Sequence, residues 1–144
     1  MNEAKHVVCP HCGAINRVPG NRSAAPAHCG TCKEKLFGGE PLAVDTAAFD
    51  RHTAKNDIPV LVDVWAPWCG PCRTMALQFA RAARALEPNV RLLKVNADEQ
   101  PAISARYNIR SIPTMLLFKG GRLAAQTAGA MDAERIAAWA RANI

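Results

Sequence analysis

The hydrophobic pattern divides the chain into two parts. Residues 1–37 hold no long periodic segment, whereas strand-like and helix-like patterns alternate from Leu42 onward. Asp45 or Thr46 can cap a short helix reaching about Ala54. Val60-Leu61-Val62-Asp63-Val64-Trp65 is a mostly apolar run rich in β-branched residues, the pattern of a buried strand. From Cys72 to about Leu86 the chain is rich in Ala and Arg, with Met75, Phe79, Ala82, Ala83 and Leu86 recurring at helical spacing, and Pro88-Asn89 closes it. Val90 to Val95 predicts a second strand, Gln100 to Tyr107 a short helix and Thr114 to Phe118 a third strand. Lys119-Gly120-Gly121-Arg122 has hairpin-turn composition and leads into a fourth strand around Leu123 to Thr127. Asp132 can cap a last helix, with Ile136, Trp139 and Ala140 on one face. This order, βαβ then helix, hairpin and helix, predicts an α/β domain with a mixed central sheet flanked by helices.

Phe37-Gly38-Gly39-Glu40-Pro41 breaks any regular element and reads as a hinge. The expected organisation is an N-terminal unit over residues 1–37, a hinge over 38–41 and a main domain over 42–144. A length of 144 residues suits one compact domain with a short appendage, and 49% hydrophobic against 21% charged residues excludes a disordered chain. No stretch approaches the roughly 20 apolar residues of a membrane span. The first residues also lack the apolar run and cleavage site of a secretory signal. The formal net charge of +6 is spread out: five Lys/Arg against three Asp/Glu over residues 1–40, and thirteen against nine over the remainder. With no basic run and few aromatics, nucleic acid is not an expected partner.

The six cysteines form three Cys-x-x-Cys pairs. A secreted disulfide framework belongs in a shorter chain with a signal peptide, so reduced thiols in a cytoplasmic protein are the expectation. The third pair, in Trp65-Ala66-Pro67-Trp68-Cys69-Gly70-Pro71-Cys72, lies between the first buried strand and the long helix. Cys69 is thereby placed at a helix N-terminus, where free N–H groups and the macrodipole favour a thiolate, the nucleophile of thiol–disulfide exchange. Cys72, three residues on, falls within bridging reach. Gly70 keeps the turn tight, and Pro71 suits a first helical turn because its missing N–H needs no partner. The alternative is a zinc half-site, but residues 73–144 contain no Cys or His, and only His52 is nearby.

These residues, with Asp63 and Val64 before them, resemble the active-site segment of the thioredoxin family. Ile109-Arg110-Ser111-Ile112-Pro113-Thr114 resembles its second signature, and Lys94-Val95-Asn96-Ala97-Asp98 and Gly129-Ala130 match at the expected separations. The resemblance covers about residues 42–144 and implies a thioredoxin fold. It implies that Asp63 is buried behind Cys72 and acts, through water, as its general base, with burial raising its pKa. Lys94 is then a modulating partner of Asp63, or else an ordinary strand lysine. X-Pro bonds are usually trans, but the resemblance implies a cis bond before Pro113, leaving the Ile112 backbone free to pair with an extended substrate. Trp68, Pro67, Gly70, Pro71, Ile112, Pro113 and Gly129 would form the substrate surface, with Trp65 packed beneath the loop. One departure stands out. The family commonly places a helix-kinking proline where this chain has Leu77, so a straighter helix is expected.

Cys9, Cys12, Cys29 and Cys32 have the spacing Cys-x2-Cys-x16-Cys-x2-Cys of a four-thiolate zinc ribbon. Gly13 and Gly30 ease the two knuckle turns, and metal binding would supply most of the folding energy of so small a unit. His6, His11 and His28 are rival ligands. Cys9-Pro10-His11-Cys12 also resembles the site of periplasmic disulfide oxidases, but those sites follow a buried strand and open a long helix, whereas Cys9 has only eight residues before it and Pro19-Gly20 soon follows Cys12. A zinc ribbon joined to a thioredoxin domain resembles the bacterial thioredoxin 2 group. The expected protein is a monomeric protein-disulfide reductase with one structural, or redox-sensing, zinc. Its substrates are disulfide-containing proteins, and NADPH supplies electrons through thioredoxin reductase. The rivals are a redox-inert binding module and a disulfide oxidase or isomerase.

Overall fold

A computed structural model describes residues 3–20 and 23–144. The N-terminal part contains an antiparallel pair, β1 (Lys5–Val8) and β2 (Ile15–Val18). The sequence pattern does not predict these strands, because each is only four residues long. The rest is β3 (Leu42–Ala43), α1 (Thr46–Lys55), β4 (Val60–Trp65), α2 (Gly70–Leu86), β5 (Arg91–Asn96), α3 (Pro101–Arg106), β6 (Thr114–Lys119), β7 (Arg122–Ala128) and α4 (Ala133–Ala142). Five strands form a mixed sheet in the order β3-β5-β4-β6-β7, with β3 and β4 parallel to β5, and β6 and β7 antiparallel additions. β3, two residues long, is too short for any periodic signal and escapes the sequence reading.

Alternation along the strands separates the two faces. Leu61, Leu92, Met115 and Leu117 pack against Met75, Phe79 and Leu86 of α2 and Ile136 and Ala140 of α4. Val60, Val62, Val64, Leu93, Val95 and Leu116 pack on the other side with Phe49 of α1 and Ile103 of α3. There Phe49, Tyr107 and Phe118 meet edge-to-face at centroid separations of 5.4 to 6.0 Å. α2 runs without interruption past Leu77, whose side chain stands 70% exposed. It starts at Gly70 rather than Cys72 because the Cys69 sulfur caps it.

The N-terminal unit is seated on the sheet domain, and residues 38–41, which read as a hinge, are tethered. Arg91, at the start of β5, is only 1% exposed. Its Nη2 donates to the Val8 carbonyl at 3.2 Å and to the Leu36 carbonyl at 2.7 Å, and its guanidinium lies 4.5 Å from the Phe37 ring centre. Nη1 donates to Glu87 Oε2 at 3.2 Å, while Glu87 Oε1 accepts the Gly39 N–H at 2.7 Å. Asn56 Oδ1 accepts the Val8 N–H at 2.8 Å, so both backbone groups of Val8 are held by side chains of the other unit. Ile58 packs with Val7, Val18, Leu36 and Phe37 in a small shared core. Burial raises the Glu87 pKa and lowers that of Arg91, each against the pull of the other. Desolvation therefore outweighs pairing, and the pair fixes a geometry more than it adds net stability.

These contacts lie at the end of α1, the beginnings of β4 and β5 and the end of α2, and Arg51 within α1 also donates to the Gly13 carbonyl. Cys69 lies at the opposite pole, about 25 Å away along a 17-residue helix. Arg91→Met strands two buried carbonyls and a buried carboxylate, so urea unfolding at pH 7 is expected to lose about 3 kcal/mol. Adding Glu87→Gln restores part of that loss. A single-variant loss below about 1 kcal/mol would show that the buried pair does not hold the two units together.

Candidate functional site

β4 delivers its C-terminal end to a short turn that starts α2. Cys69 is the N-cap residue of α2: its Sγ accepts the Cys72 N–H at 3.2 Å, and its carbonyl accepts from Arg73 N at 3.2 Å. Cys69 and Cys72 form a disulfide with Cα atoms 5.2 Å apart. Both sulfurs are nearly covered, packed with Ala66 and beside Trp65 and Ile112. The Ile112–Pro113 bond is cis, and the Ile112 carbonyl oxygen lies 3.7 Å from Cys69 Sγ. Gly129 N–H donates to the Pro113 carbonyl at 2.9 Å. Gly129 has φ +108°, a conformation side chains rarely adopt, and nothing lies within 4 Å of where its Cβ would be. Half-buried Ile112 thus lies beside the disulfide and Gly129 beside Pro113, and Pro67, Gly70 and Pro71 around Cys69 are exposed, as is Trp68 at 68%.

Two residues that the sequence reading passed over hold this surface. Trp68 Nε1 donates to Asp98 Oδ1 at 3.2 Å, and Arg73 Nη1 donates to the Pro67 carbonyl at 2.9 Å. Both are exposed polar residues: Asp98 falls in a segment that matches the family but carries no role in the sequence reading, and nothing in pattern or spacing distinguishes Arg73 from a solvated charge. Asp63 is 1% exposed and, by strand alternation, lies on the α2 face of the sheet, in register between Lys94 and Met115. Neither Asp63 oxygen has a hydrogen-bond partner among the described residues. Burial pushes its pKa up to about 7, with Lys94 pulling the other way. Lys94 Nζ also sits 5.0 Å from the Trp65 ring centre, where it is retained by the ring face.

In the N-terminal unit, beside β3 and α1, Cys9, Cys12, Cys29 and Cys32 bring their sulfurs within 4.8 Å of one another, and none is in a disulfide. Cys9–Cys32 and Cys12–Cys29 sulfurs are each 3.6 Å apart. Four sulfurs at the usual zinc–sulfur distance have tetrahedral edges of about 3.8 Å, so the donor set fits one zinc ion. N–H groups already point at the sulfurs. His11 N and Cys12 N approach Cys9, while Thr31 N, Cys32 N and Asn16 Nδ2 approach Cys29. The Cys32 amide, then the Asn16 side chain, hold the Cys29 thiol down at about 5. Cys32 is pushed up to about 12, where desolvation and its sulfur neighbours overcome the Glu34 amide. A divalent cation removes this conflict among crowded thiolates. The rival histidines stand outside the cluster, and His6 Nδ1 pairs with Asp57 at 3.0 Å. His52 is buried with Nδ1 3.0 Å from Asn56 Nδ2, and burial, then Arg91 and Arg51, lower its pKa to about 4.

The thioredoxin family model matches residues 40–142. The chain belongs to the thioredoxin family. Residues 8–34 match the model of the N-terminal region of thioredoxin 2. Thioredoxin C-3 of Corynebacterium nephridii is 38% identical over 133 residues, covering 92% of this chain and 91% of its own. A thioredoxin of Rickettsia bellii is 41% identical over 101 residues, covering 70% and 96%. Among solved structures, a mutant thioredoxin from Halobacterium salinarum superposes with TM-score 0.67 at 29% identity, covering 74% of this chain and 93% of its own. Malassezia sympodialis thioredoxin gives 0.64 at 30%, covering 70% and 88%. The protein is accordingly a thiol–disulfide oxidoreductase with Cys69–Cys72 as its redox pair. No helix among the described residues is long and apolar enough to cross a membrane.

The buried carboxyl makes stability depend on pH. With a folded pKa of about 7 against an ordinary 3.8, the Asp63 contribution is fully present below about pH 4 and is lost as pH rises to about 7, amounting to about 4 kcal/mol. Asp63→Asn in the oxidised protein is expected to be more stable than the parent by a margin that grows over this window and is flat above it. Chemical denaturation at pH 4, 6 and 8 checks this, and a margin independent of pH sinks it.

Proposed function

We propose that the protein is a cytoplasmic protein-disulfide reductase recharged by thioredoxin reductase with electrons from NADPH. The observation that carries this is the Cys69 sulfur capping α2 beside the Ile112 backbone that precedes a cis proline. In the reduced form the Cys72 N–H and the helix N-terminus stabilise a Cys69 thiolate. That thiolate attacks one sulfur of a substrate disulfide. A Cys69–substrate bond forms, the substrate S–S bond breaks, and the first substrate thiolate leaves. Cys72 then gives its proton, through water, to Asp63 and attacks Cys69 Sγ. This releases the second substrate thiolate and forms the Cys69–Cys72 disulfide. Each turnover oxidises one dithiol and reduces one disulfide, and the reductase returns two electrons. Burial of Asp63 without a protein partner supports its part as the proton acceptor, and Lys94 moderates its pKa. Main-chain pairing at Ile112, with Trp68, Pro67, Gly70, Pro71 and Gly129 exposed around it and Pro113 buried behind it, where it shapes the loop without presenting a face of its own, suits varied protein substrates.

The proposed organisation is a ribbon over residues 1–37 and a redox domain over 42–144, joined through 38–41 and working as a monomer. Cys9, Cys12, Cys29 and Cys32 hold one zinc, which is structural: it supplies the charge and the tether that let a unit with little core fold. The exchange chemistry needs no step through it.

A coupled NADPH-oxidation assay with an insulin substrate tests the function, with zinc measured on the same sample. The parent protein is expected to turn over and to hold one zinc per chain. Cys69→Ser abolishes turnover, while Cys72→Ser leaves substrates covalently trapped on Cys69. Unchanged reduction by Cys69→Ser refutes the mechanism. Chelation of the zinc is expected to unfold residues 1–37, read by loss of amide protection there, while oxidation of NADPH continues. Full protection after metal removal overturns the structural assignment.

A further inference from the structure

The arginines that look scattered in the sequence converge on one face of α2. Its 17 residues, GPCRTMALQFARAARAL, contain Arg73, Arg81 and Arg84 and no Asp or Glu. Counting from Cys69 at 100° per residue, positions 73, 77 and 84 fall within about 60° of one another and position 81 within about 120° of Cys69. Cys69, Arg73, Leu77, Arg84 and Arg81 therefore make one stripe running from the redox pair down the helix. Arg73, Leu77, Arg81 and Arg84 are all exposed. Arg141 of α4 joins the far end, its Nη2 3.5 Å from the Ala85 carbonyl oxygen. None of these four arginines is in an ion pair among the described residues. The carboxylate next in sequence, Glu87, is turned inward onto Arg91. The stripe also carries Leu77, a large apolar side chain left in water.

We propose that this stripe is a docking track for acidic disulfide proteins, selecting among the substrates of the redox pair. The inference rests on the reductase reading above and adds a substrate class to it. A partner of ordinary interface size, about 30 Å across, that seats its disulfide on Cys69 covers Arg73 and Leu77 and reaches Arg81 and Arg84, about 18 and 22 Å along the helix. Unpaired guanidinium groups at that range raise the encounter rate of an oppositely charged partner and fix its direction of approach. Leu77 gives the docked chain an apolar contact between the charges. A polypeptide fits this pattern better than a nucleic acid, because the stripe starts at the redox pair and offers an aliphatic side chain, while the one aromatic ring of α2, Phe79, is buried and gives a base nothing to stack on along the helix.

The test uses the full-length protein with dithiothreitol as reductant, so no reductase is involved. Two synthetic peptides carry the same intramolecular disulfide and a ten-residue tail, rich in Glu in one and in Lys in the other. The parent protein is expected to reduce the acidic peptide with about tenfold higher kcat/KM in 20 mM salt, and the preference collapses in 0.5 M salt. The variant Arg81→Glu/Arg84→Glu, which leaves Arg73 and the active site intact, reverses the preference. Reduction of the small neutral disulfide hydroxyethyl disulfide stays at the parent rate, which also certifies the fold of the variant. Equal kcat/KM for the two peptides in the parent protein overturns the docking track. So does a preference that the variant leaves unchanged. So does absence of peptide discrimination together with binding of a short DNA duplex, which would assign the stripe to nucleic acid. Failure to reduce hydroxyethyl disulfide at all would instead refute the reductase reading.

Discussion

A sulfur atom occupies the place that a serine or aspartate oxygen normally takes at the start of a helix. Cys69 accepts the Cys72 N–H and ends the extended run from β4. The same contact that begins α2 thus prepares a thiolate and sets its resolving partner at bridging distance. The surroundings follow from that placement. β4 must end where α2 begins, so Asp63 lies on the α2 face. The loop before β6 must pass close enough to bring Ile112 against the sulfur. Local helix chemistry and redox chemistry are here one requirement.

The molecule keeps its two sulfur centres in separate units. The redox pair sits where β4 finishes. The four-thiolate cluster belongs to a unit gripped where β4 and β5 start, by Arg91, Glu87, Asn56 and Ile58. The grip is polar and buried, a costly arrangement that specifies one orientation. Each set of sulfurs is tuned by its own neighbours, the Cys72 N–H at Cys69 and the Thr31, Cys32 and Asn16 N–H groups at Cys29.

Much of this was legible in the sequence, for identifiable reasons. Six-residue apolar strands such as Val60–Trp65 and a 17-residue amphipathic helix carry strong periodic signals. The Cys spacing carries its own geometry: the ribbon sulfurs do converge, and Cys69 does cap a helix. What stayed hidden was either too short to show a period or distributed in space. β3 and the ribbon strands fall in the first group. The second includes Arg91, which reads as one more basic residue at the head of a strand yet holds Val8 and Leu36. It also includes Asp98 and Arg73, which steady Trp68 and Pro67 from 30 and 6 residues away, and Asn16, whose amide reaches Cys29. Residues 38–41 have hinge composition, but composition does not reveal that Gly39 is tied to Glu87. Leu77, where relatives commonly kink, leaves α2 unbroken and its own side chain in water.

The seat of the N-terminal unit also has a practical side. Exposed Lys5 shares a surface hollow with Ile58, Pro88 and Asn89, by strand starts remote from Cys69, so a bead or dye attached through that side chain leaves the reactive face turned outward to whatever flows past.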